Sequence, residues 1–574
     1  MKFLGVLGVL CGLAFPSAAL DRHAFTFTRY DLNATIEPGQ QRLGVRGKIT
    51  LRNDSDAPQK NLALQVSSTL NWVSIQFEGK PVEFVSQQYT SDVDHTGGLT
   101  EAVVVLPRPV LSRQSIDLEV GYEGTIPQDA TRLTRIGVPA DTAKHSDWDQ
   151  ISKSFTAVRG IGYVAWYPIA TEAVSLSEGN SVFEEVGRWK QAEAQAGMKI
   201  NFSYSGASRA GPPTLFCNGQ VSQLGSTEAG QGYFSEGTCT WQPPNSAVPS
   251  FLIGNYDVLD KSAVNISYLH DRKSGADDYA LAVEQVAPLI SKWLGDHREK
   301  PGYKAEVVEL PDPAAAPFES GAMLLAPLTG DETTILLSAL RQMTHLYFPS
   351  PRTWISEGLA GFAQANYFLN EKGRDTALAY LRSHRTALVQ TEKENLASAR
   401  EGSAETSLIK APDEFYVQTK AMNVWWMLRD IVGDVALTAA LHNYNSRDDT
   451  SADYMQKLIE AQSHRDLKWF FDDWVYSDRG LPNLRVANVY TSPIQRGGYM
   501  VTVTVENSGS AGAEVPVTVH MSQGEATEQL IVAGNSKASV RIVAVAVPEE
   551  ISVNDGSVPE SEGTSHTYKI EANH

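Results

Sequence analysis

The sequence predicts a multidomain α+β protein with an N-terminal β domain, a mainly helical central domain and a small C-terminal β-sandwich. The chain has 574 residues, which is too long for a single hydrophobic core. Apolar residues alternate with polar ones near both ends, whereas between about residues 275 and 478 they recur at helical spacing. We therefore divide the chain into residues 1–19, 20–270, 271–478 and 479–574.

The first segment, MKFLGVLGVLCGLAFPSAA, has the pattern of a secretory signal peptide. Lys2 supplies a positive charge, residues 3–15 form an apolar run too short to span a bilayer, and residues 17–19 are small. Cys11 follows the bulky Leu10, whereas a lipid-modified cysteine usually follows a small residue. We therefore expect an exported protein, periplasmic or extracellular, with no lipid anchor and no transmembrane segment.

The amino-acid composition limits which kinds of binding partner and metal site are expected. The formal net charge is -19 and no basic segment stands out, so nucleic-acid binding has little electrostatic support. Outside the signal segment two cysteines remain, Cys217 and Cys239. We expect a disulfide between them, since exported proteins usually pair such cysteines and the alternative, a Cys/His metal site, lacks a CxxC pattern or a nearby His.

The segment that follows the signal peptide has the period of β-strands. Leu43, Val45, Ile49 and Leu51 alternate with polar residues before a turn at residues 53–56. Gly and Pro interrupt the segment throughout. We therefore expect this part to consist mostly of sheet.

The central segment has helical periodicity. Val283, Val286, Ile290 and Trp293 recur at helical spacing, and apolar positions within residues 335–343 do the same. The other elements expected here are a strand at 304–310 and helices at 355–368, 377–388 and 424–431, the last ending at Gly433. This segment should therefore be mainly helical.

The C-terminal segment returns to a period of two. Val501, Val503 and Val505 alternate with polar residues, the valines at 515, 517 and 519 repeat this pattern, and glycines at 497–498 mark a turn. Such a segment of about a hundred residues predicts an immunoglobulin-like β-sandwich.

The stretch RQMTHLYFPSPRTWISEG resembles a zinc motif with substitutions. In His-Glu-x-x-His, both His side chains bind zinc from one helix face and the Glu activates a metal-bound water. Here Arg341 and Gln342 occupy the first two positions, His345 keeps the second His, and Glu357 follows. Arg offers only donors and Gln has no basic carboxylate, so a ligand and the base are missing.

Two interpretations of this stretch remain open from the residues alone. A lone His followed by a lone Glu occurs by chance in most chains, where both are ordinary polar residues. Alternatively, the positions are those of a degenerate metal site. In that case we expect Arg341 to pair with Glu357 and to replace the positive charge of a metal.

Neighbouring segments favour the second interpretation. Residues 354–360, WISEGLA, resemble the W-L-N-E-G-F-A element of the membrane-alanyl-aminopeptidase family of gluzincin metallopeptidases. Residues 320–325 lie where that family has its G-A-M-E-N loop, and residues 419–421 resemble part of its Y-x-K-G-A helix. Residues 469–474 and 480–482 resemble the end of its catalytic domain. The resemblance extends over most of the chain after the signal peptide.

This resemblance implies an N-terminal saddle-shaped β domain, a thermolysin-like domain and a bound zinc ion. It places metal ligands at His345 and Glu357, with Arg341 at the position of the lost third ligand and Gln342 at that of the general base. The connection from His345 to Glu357 is shorter than in the family. Zinc is therefore expected from the family, but weakly bound or absent in this chain.

The resemblance also assigns substrate-binding positions. Three residues fall in the substrate cleft, namely Gly321, Ala322 and Met323. The Glu that holds a substrate's amino terminus in the family falls on Leu324, and the Tyr that stabilises its intermediate falls on Gln418, with Tyr416 as a nearby replacement. Together with the substitutions at the general-base and first-ligand positions, these two substitutions alter several separate catalytic roles at once.

Three functions are compatible with the sequence. The first is an exported pseudopeptidase that binds a peptide or protein partner in the former cleft. The second is a working zinc metallopeptidase that recruits another ligand, such as His384 or a carboxylate. The third is a cell-surface structural or interaction protein. A GxSxG nucleophile motif is absent from the sequence, and the sequence predicts no particular oligomeric state.

Overall fold

A computed structural model describes most of the chain after the expected signal peptide. The described residues are 20–205, 213–229, 232–241, 248–298, 300, 302–321, 323–400, 407–495, 497–562 and 566–570. The expected signal peptide and Ala322 lie outside these residues. Within them, no helix is long and apolar enough to cross a membrane.

In its described residues, the N-terminal region consists of three sheets, three α-helices and one 3-10 helix (Pro38–Gln40). Its strands are β1 (Phe25–Glu37), β2 (Arg42–Asn53), β3 (Gln59–Ser67), β4 (Leu70–Phe77), β5 (Lys80–Pro81), β6 (Glu83–Thr90), β7 (Gly98–Val110), β8 (Ser115–Thr125), β9 (Gln150–Ile151), β10 (Thr156–Val158), β11 (Gly197–Ser205), β12 (Thr214–Cys217), β13 (Gln220–Ala229), β14 (Gly232–Trp241) and β15 (Phe251–Gly254). Its helices are α1 (Thr131–Arg135), α2 (Ala140–Ser146) and α3 (Ser181–Ala192).

The three N-terminal sheets differ in size. The largest has eight strands in the order β13-β14-β11-β1-β2-β8-β4-β5, and the smaller ones have the orders β12-β15-β10-β9 and β3-β7-β6. The predicted apolar positions of β2 are buried, because Leu43, Val45, Ile49 and Leu51 all point to one face of the sheet. The expected disulfide joins Cys217 on β12 to Cys239 on β14, with a Cα–Cα distance of 6.5 Å.

The central region begins with a five-stranded sheet. Its strands are β16 (Asp257–Asp260), β17 (Val264–Tyr268), β18 (Ala305–Glu309), β19 (Phe318–Ser320) and β20 (Met323–Ala326). The order is β16-β17-β18-β20-β19, and β19 is an antiparallel edge strand beside parallel β20. The expected boundary at residue 270 thus separates β16 and β17 from strands with which they pair. Their period of two matches that of the preceding strands, so the sequence does not reveal which sheet they join.

The rest of the central region is helical. Its helices are α4 (Lys273–Leu294), α5 (Glu332–Tyr347), α6 (Thr353–Lys372), α7 (Arg374–Ser383), α8 (Arg385–Arg400), α9 (Glu414–Val432), α10 (Asp434–His442), α11 (Tyr454–Ser463) and α12 (Lys468–Phe471), followed by a π-helical turn (Asp472–Tyr476). The helix expected at 377–388 is divided at His384, which separates α7 from α8. As predicted, α9 ends at Gly433, whose φ of 82° suits glycine.

The C-terminal region is a pair of sheets. Its strands are β21 (Leu484–Pro493), β22 (Tyr499–Asn507), β23 (Ala513–Met521), β24 (Glu525–Val532), β25 (Ser536–Ala544), β26 (Pro548–Val553) and β27 (Thr567–Lys569). They form the sheets β21-β22-β25 and β24-β23-β26-β27. The predicted alternating valines of β22 and β23 fill the space between the sheets and are fully buried. The predicted combination of α and β structure in several units is confirmed.

Candidate functional site

The predicted motif lies on two consecutive helices. Helix α5 begins at a cap in which the Asp331 side chain accepts a hydrogen bond from the backbone N–H of Thr334. Arg341 and His345 are one turn apart near its end, so their side chains leave the same helix face. Glu357 lies in the second turn of α6. The side chains of Arg341, His345 and Glu357 therefore lie close together, as their spacing in the sequence predicted.

Close packing between α6 and α9 holds Glu357 in place. A Cβ atom at Gly358 would lie only 2.6 Å from the Cβ of Ala421, so glycine is required for this approach. One helical turn away, the rings of Trp354 and Trp425 stack with their centroids 5.4 Å apart. These contacts set the position at which the Glu357 carboxylate faces α5.

Four side chains form a closed ring of ion pairs, which we call the ion-pair ring: Glu319, Arg341, His345 and Glu357. Arg341 donates from Nε to Glu319 Oε2 at 2.8 Å and from Nη2 to Glu357 Oε2. His345 Nδ1 lies 2.7 Å from Glu319 Oε1, and its Nε2 lies 3.3 Å from Glu357 Oε1. Each carboxylate therefore bridges both cations. The predicted pairing of Arg341 with Glu357 is present.

The ring keeps its members charged. Burial lowers the pKa of His345, but the carboxylates of Glu319 and Glu357 outweigh burial and raise this pKa to about 9. Burial likewise raises the pKa of Glu357, but Arg341 and His345 more than compensate and hold it well below its usual value. At neutral pH the ring thus holds the Arg341 and His345 cations beside the ionised Glu357 carboxylate.

We expect folding stability to fall as the pH rises from about 6.5 to about 9. Because the pKa of His345 is raised in the folded state, its contribution is complete below the unfolded-state pKa and is lost as the pH passes about 9. The loss should be at most about 3 kcal/mol. Urea unfolding at successive pH values measures it, and His345→Gln should flatten the curve in this window. A wild-type curve as flat as that of the variant would contradict the expectation.

Glu319 is the member of the ion-pair ring that the sequence motif did not predict. The chain reverses at Gly321, where φ is 60°, and this hairpin pairs Ser320 with Met323. The residues before the turn therefore form the edge strand β19 beside α5, whereas the residues after it form β20. A short polar strand before an isolated Gly was the available signal.

The same hairpin places Leu324, the residue at the position of the family's amine-binding Glu, in the core. Leu324 is 4% exposed and packs in the core of the helical region. Its side chain therefore cannot face a cleft. The carboxylate that does face the helices comes from Glu319, and both its oxygens already contact ring cations.

The expected cleft residues are only partly compatible with an open cleft. Gly321 is exposed at the hairpin turn, and Ala322 lies outside the described residues. Met323 is 5% exposed and packs with Trp148 and Phe216 in an apolar cluster between the N-terminal region and the five-stranded sheet. Alternate residues of β20 point into this cluster, and the assignment of Met323 to a substrate cleft stays a prediction.

Gln342, at the general-base position, is part of the core. The hydroxyl of Tyr279 on α4 donates to its Oε1 at 2.8 Å, and its Nε2 donates to the backbone carbonyl of Glu306 at 3.1 Å. The residue is fully buried. These bonds connect α4, α5 and β18, and the amide offers no proton acceptor of carboxylate basicity.

Tyr416 belongs to a second buried group, which we call the lysine cluster: Glu392, Tyr416, Lys420 and Asp478. The Tyr416 hydroxyl lies 2.6 Å from Asp478 Oδ2 and 3.0 Å from Glu392 Oε1, and it donates its single proton to one of them. Lys420 Nζ donates to both carboxylates. Burial raises the pKa of Tyr416 well above its usual value. Its hydrogen bonds thus serve this cluster, and a role for Tyr416 in the ion-pair ring is not supported by them.

The residues at the family's metal position do not fit zinc. Glu319 and Glu357 contact opposite ring nitrogens of His345, and the Arg341 guanidinium lies between the two carboxylates. A zinc ion needs lone pairs that converge on one point, and a guanidinium repels it. Within the described ranges, no group of three or more His, Cys, Asp or Glu side chains is arranged to hold a metal ion. The suggested extra ligand, His384, contacts the Tyr380 carbonyl instead.

Comparison with known proteins identifies the fold. No protein-family model matches the sequence, and no curated protein matches it significantly. The structure is similar to Legionella pneumophila aminopeptidase A in complex with aspartic acid, with 12% identity, a TM-score of 0.59, and coverage of 94% of this chain but 60% of that one. It is also similar to a mutant M1 zinc metallopeptidase from Deinococcus radiodurans bound to a Tyr-Ser-Ala substrate, with 16% identity, a TM-score of 0.46, and coverage of 82% and 97%. At these identities the likeness concerns the fold alone, which is similar to that of the Legionella aminopeptidase.

Proposed function

We propose that this chain is an exported pseudopeptidase whose former active-site region binds a peptide or protein without hydrolysing it. The observation that carries the proposal is the ion-pair ring, in which Arg341 supplies from within the chain the positive charge that a metal would bring. The division into N-terminal saddle domain, thermolysin-like domain and immunoglobulin-like sandwich is part of the same proposal.

The chemistry of the ring supports a loss of hydrolysis. Peptide hydrolysis on this type of helix pair needs a polarised water and a base that takes its proton. Gln342 offers no such base, and His345 is protonated at neutral pH because the ring carboxylates raise its pKa to about 9. Glu357 is a weak base because Arg341 and His345 lower its pKa. His345 and Glu357 are therefore both held in their charged forms.

The retained fold supports a peptide-like ligand. The Legionella aminopeptidase with the similar fold is bound to an amino acid, aspartic acid. A fold can keep a binding region after its catalytic groups change, because binding and bond cleavage depend on different side chains. We therefore look for the ligand among peptides and protein segments.

Restoring the missing groups tests the proposal. The purified mature wild-type protein is expected to contain no stoichiometric zinc and to show no aminopeptidase turnover. The double variant Arg341→His/Gln342→Glu should gain zinc, because two imidazoles and the Glu357 carboxylate make a three-ligand site. Metal analysis and release of aminoacyl fluorophores measure the two properties.

Single variants serve as matched controls. Arg341→His alone should gain zinc without turnover, whereas Gln342→Glu alone should gain neither. Stoichiometric zinc together with turnover in the wild-type protein would overturn the pseudopeptidase proposal and favour an active metallopeptidase. Peptide binding to the wild type, measured by calorimetry and lost on changing Arg341, separates a binding protein from a purely structural one.

A further inference from the structure

A cleft lies between the helical region and the C-terminal sheets, and none of the four residues of the ion-pair ring lines it. It has a volume of about 440 Å³ and is bounded by the ends of α7 and α9 and by the outer face of the β24-β23-β26 strands. Arg374 lies at its helical side, where its guanidinium contacts Asp430 and Asp555. This cleft plays no part in the proposed function.

The register of three strands brings a serine, a histidine and a glutamate together on the wall of this cleft. Val517 and Val519 point into the sandwich, so the alternate residues Thr518 and His520 face outward. A tight turn connects β23 to β24 and pairs His520 with Glu525. On the other side of β23, Ser552 is paired with Thr518, one step diagonally from His520.

The contacts among these residues follow the order that nucleophilic catalysis requires. His520 Nε2 lies 2.7 Å from Ser552 Oγ, and His520 Nδ1 lies 3.4 Å from Glu525 Oε2. One imidazole nitrogen thus contacts the hydroxyl and the other contacts the carboxylate that orients the ring. All three side chains line the cleft. We propose that Ser552, His520 and Glu525 form a serine-nucleophile site that hydrolyses small esters.

The reaction balances with water as the second reactant. Ser552 Oγ attacks the ester carbonyl carbon while its proton passes to His520 Nε2, and the alcohol leaves with that proton, which gives an acyl-serine and a neutral imidazole. Water then attacks the acyl-serine, His520 takes its proton, and the returned proton restores the Ser552 hydroxyl as the acid leaves. Glu525 stabilises the imidazolium in both halves without being protonated.

The surroundings indicate which esters fit. Thr518, directly across from Ser552, places its hydroxyl 2.8 Å from that of Thr527 on the same wall of the cleft. Of the residues around the cleft, only Ile431 and Pro516 are apolar, and the rest carry hydroxyl, amide or charged groups. Such walls offer no apolar surface for a long acyl chain. The expected substrates are therefore esters of short, polar acids.

Covalent labelling and kinetics on the full mature chain test this site. A fluorophosphonate should attach to Ser552 Oγ with release of fluoride, which peptide mass spectrometry locates. The mature protein should hydrolyse p-nitrophenyl acetate faster than p-nitrophenyl decanoate. Ser552→Ala and His520→Ala should each lower the acetate rate about 100-fold, and Glu525→Gln should lower it less because its side chain is 65% exposed.

Controls distinguish this mechanism from simple imidazole catalysis. His270 is an exposed histidine paired with Asp257 at 2.9 Å, and His270→Ala should leave the rate unchanged. Thermal unfolding should show that all variants remain folded. If Ser552→Ala keeps the wild-type rate while His520→Ala loses it, His520 acts as a free imidazole and the proposal is overturned. Absence of label on Ser552 would also overturn it. Neither result depends on the state of the ion-pair ring.

Discussion

Replacing Lys420 with Met is expected to destabilise the helical region by about 3–5 kcal/mol. The Lys420 side chain is 0% exposed, and its partners Glu392 and Asp478 are 6% and 3% exposed. Removing the cation leaves two buried carboxylates, to only one of which the Tyr416 hydroxyl can donate its proton. Met has nearly the volume of Lys, so little of the loss comes from a cavity.

Urea unfolding followed by tryptophan fluorescence measures this effect, because Trp474 lies beside Lys420. The matched control is Lys273→Met, which removes a lysine whose pair with Asp277 is exposed to solvent. That control should cost less than about 1 kcal/mol. Burial raises the pKa of Glu392, so its protonation in acid removes one unpaired charge and the difference from wild type should shrink. Two results would contradict the interpretation that charges compensate each other in the lysine cluster. One is a loss of unfolding free energy smaller than that of Lys273→Met, and the other is a loss that does not change in acid.

Replacing Arg341 with Met should destabilise the protein by about 3 kcal/mol and make it responsive to zinc. Without the guanidinium, Glu319 and Glu357 face each other with His345 as their single cationic partner. A divalent cation that binds this folded state then stabilises it in proportion to its concentration. The thermal unfolding temperature of the variant should therefore rise on adding zinc, whereas that of the wild type should not.

Arg341→Lys is the matched control for charge. It keeps a cation but loses the fork that reaches both carboxylates, so it should fall between the wild type and Arg341→Met in stability. It should not respond to zinc. If zinc stabilises the wild type and Arg341→Met equally, Arg341 does not substitute for a metal charge, and the ring is an ordinary structural network of ion pairs.

Local elements were the most predictable part of the molecule. The alternating valines of β22 and β23, the helix before Arg341 and the end of α9 at Gly433 all appear where the sequence indicated. Each depends on a period or a terminator that acts within a few residues. The pairing of Arg341 with Glu357 was also predictable, because both lie on consecutive helices separated by a short connection.

Residues that meet through sheet order were not predictable in this way. Glu319 joins the ion-pair ring because a hairpin turns β19 back beside α5. Leu324 was identified as the position of the family's amine-binding Glu only from its place in the sequence motif. The proposed serine nucleophile, Ser552, was missed for a similar reason. It meets His520 across two strands rather than within a nucleophile elbow, and no GxSxG pattern marks such an arrangement.

The sequence by itself determined the succession of β, helical and β regions, and it has Arg341 and Gln342 where the motif that it resembles has a ligand and a base. It determined these features because strand and helix periods, and the chemistry of a side chain, are local properties. The tertiary structure alone decided that two carboxylates neutralise Arg341 and His345, and that Tyr416 bonds to the lysine cluster. Those outcomes depend on which distant segments pack together, and the free energy of burying charges then selects the partners that compensate them.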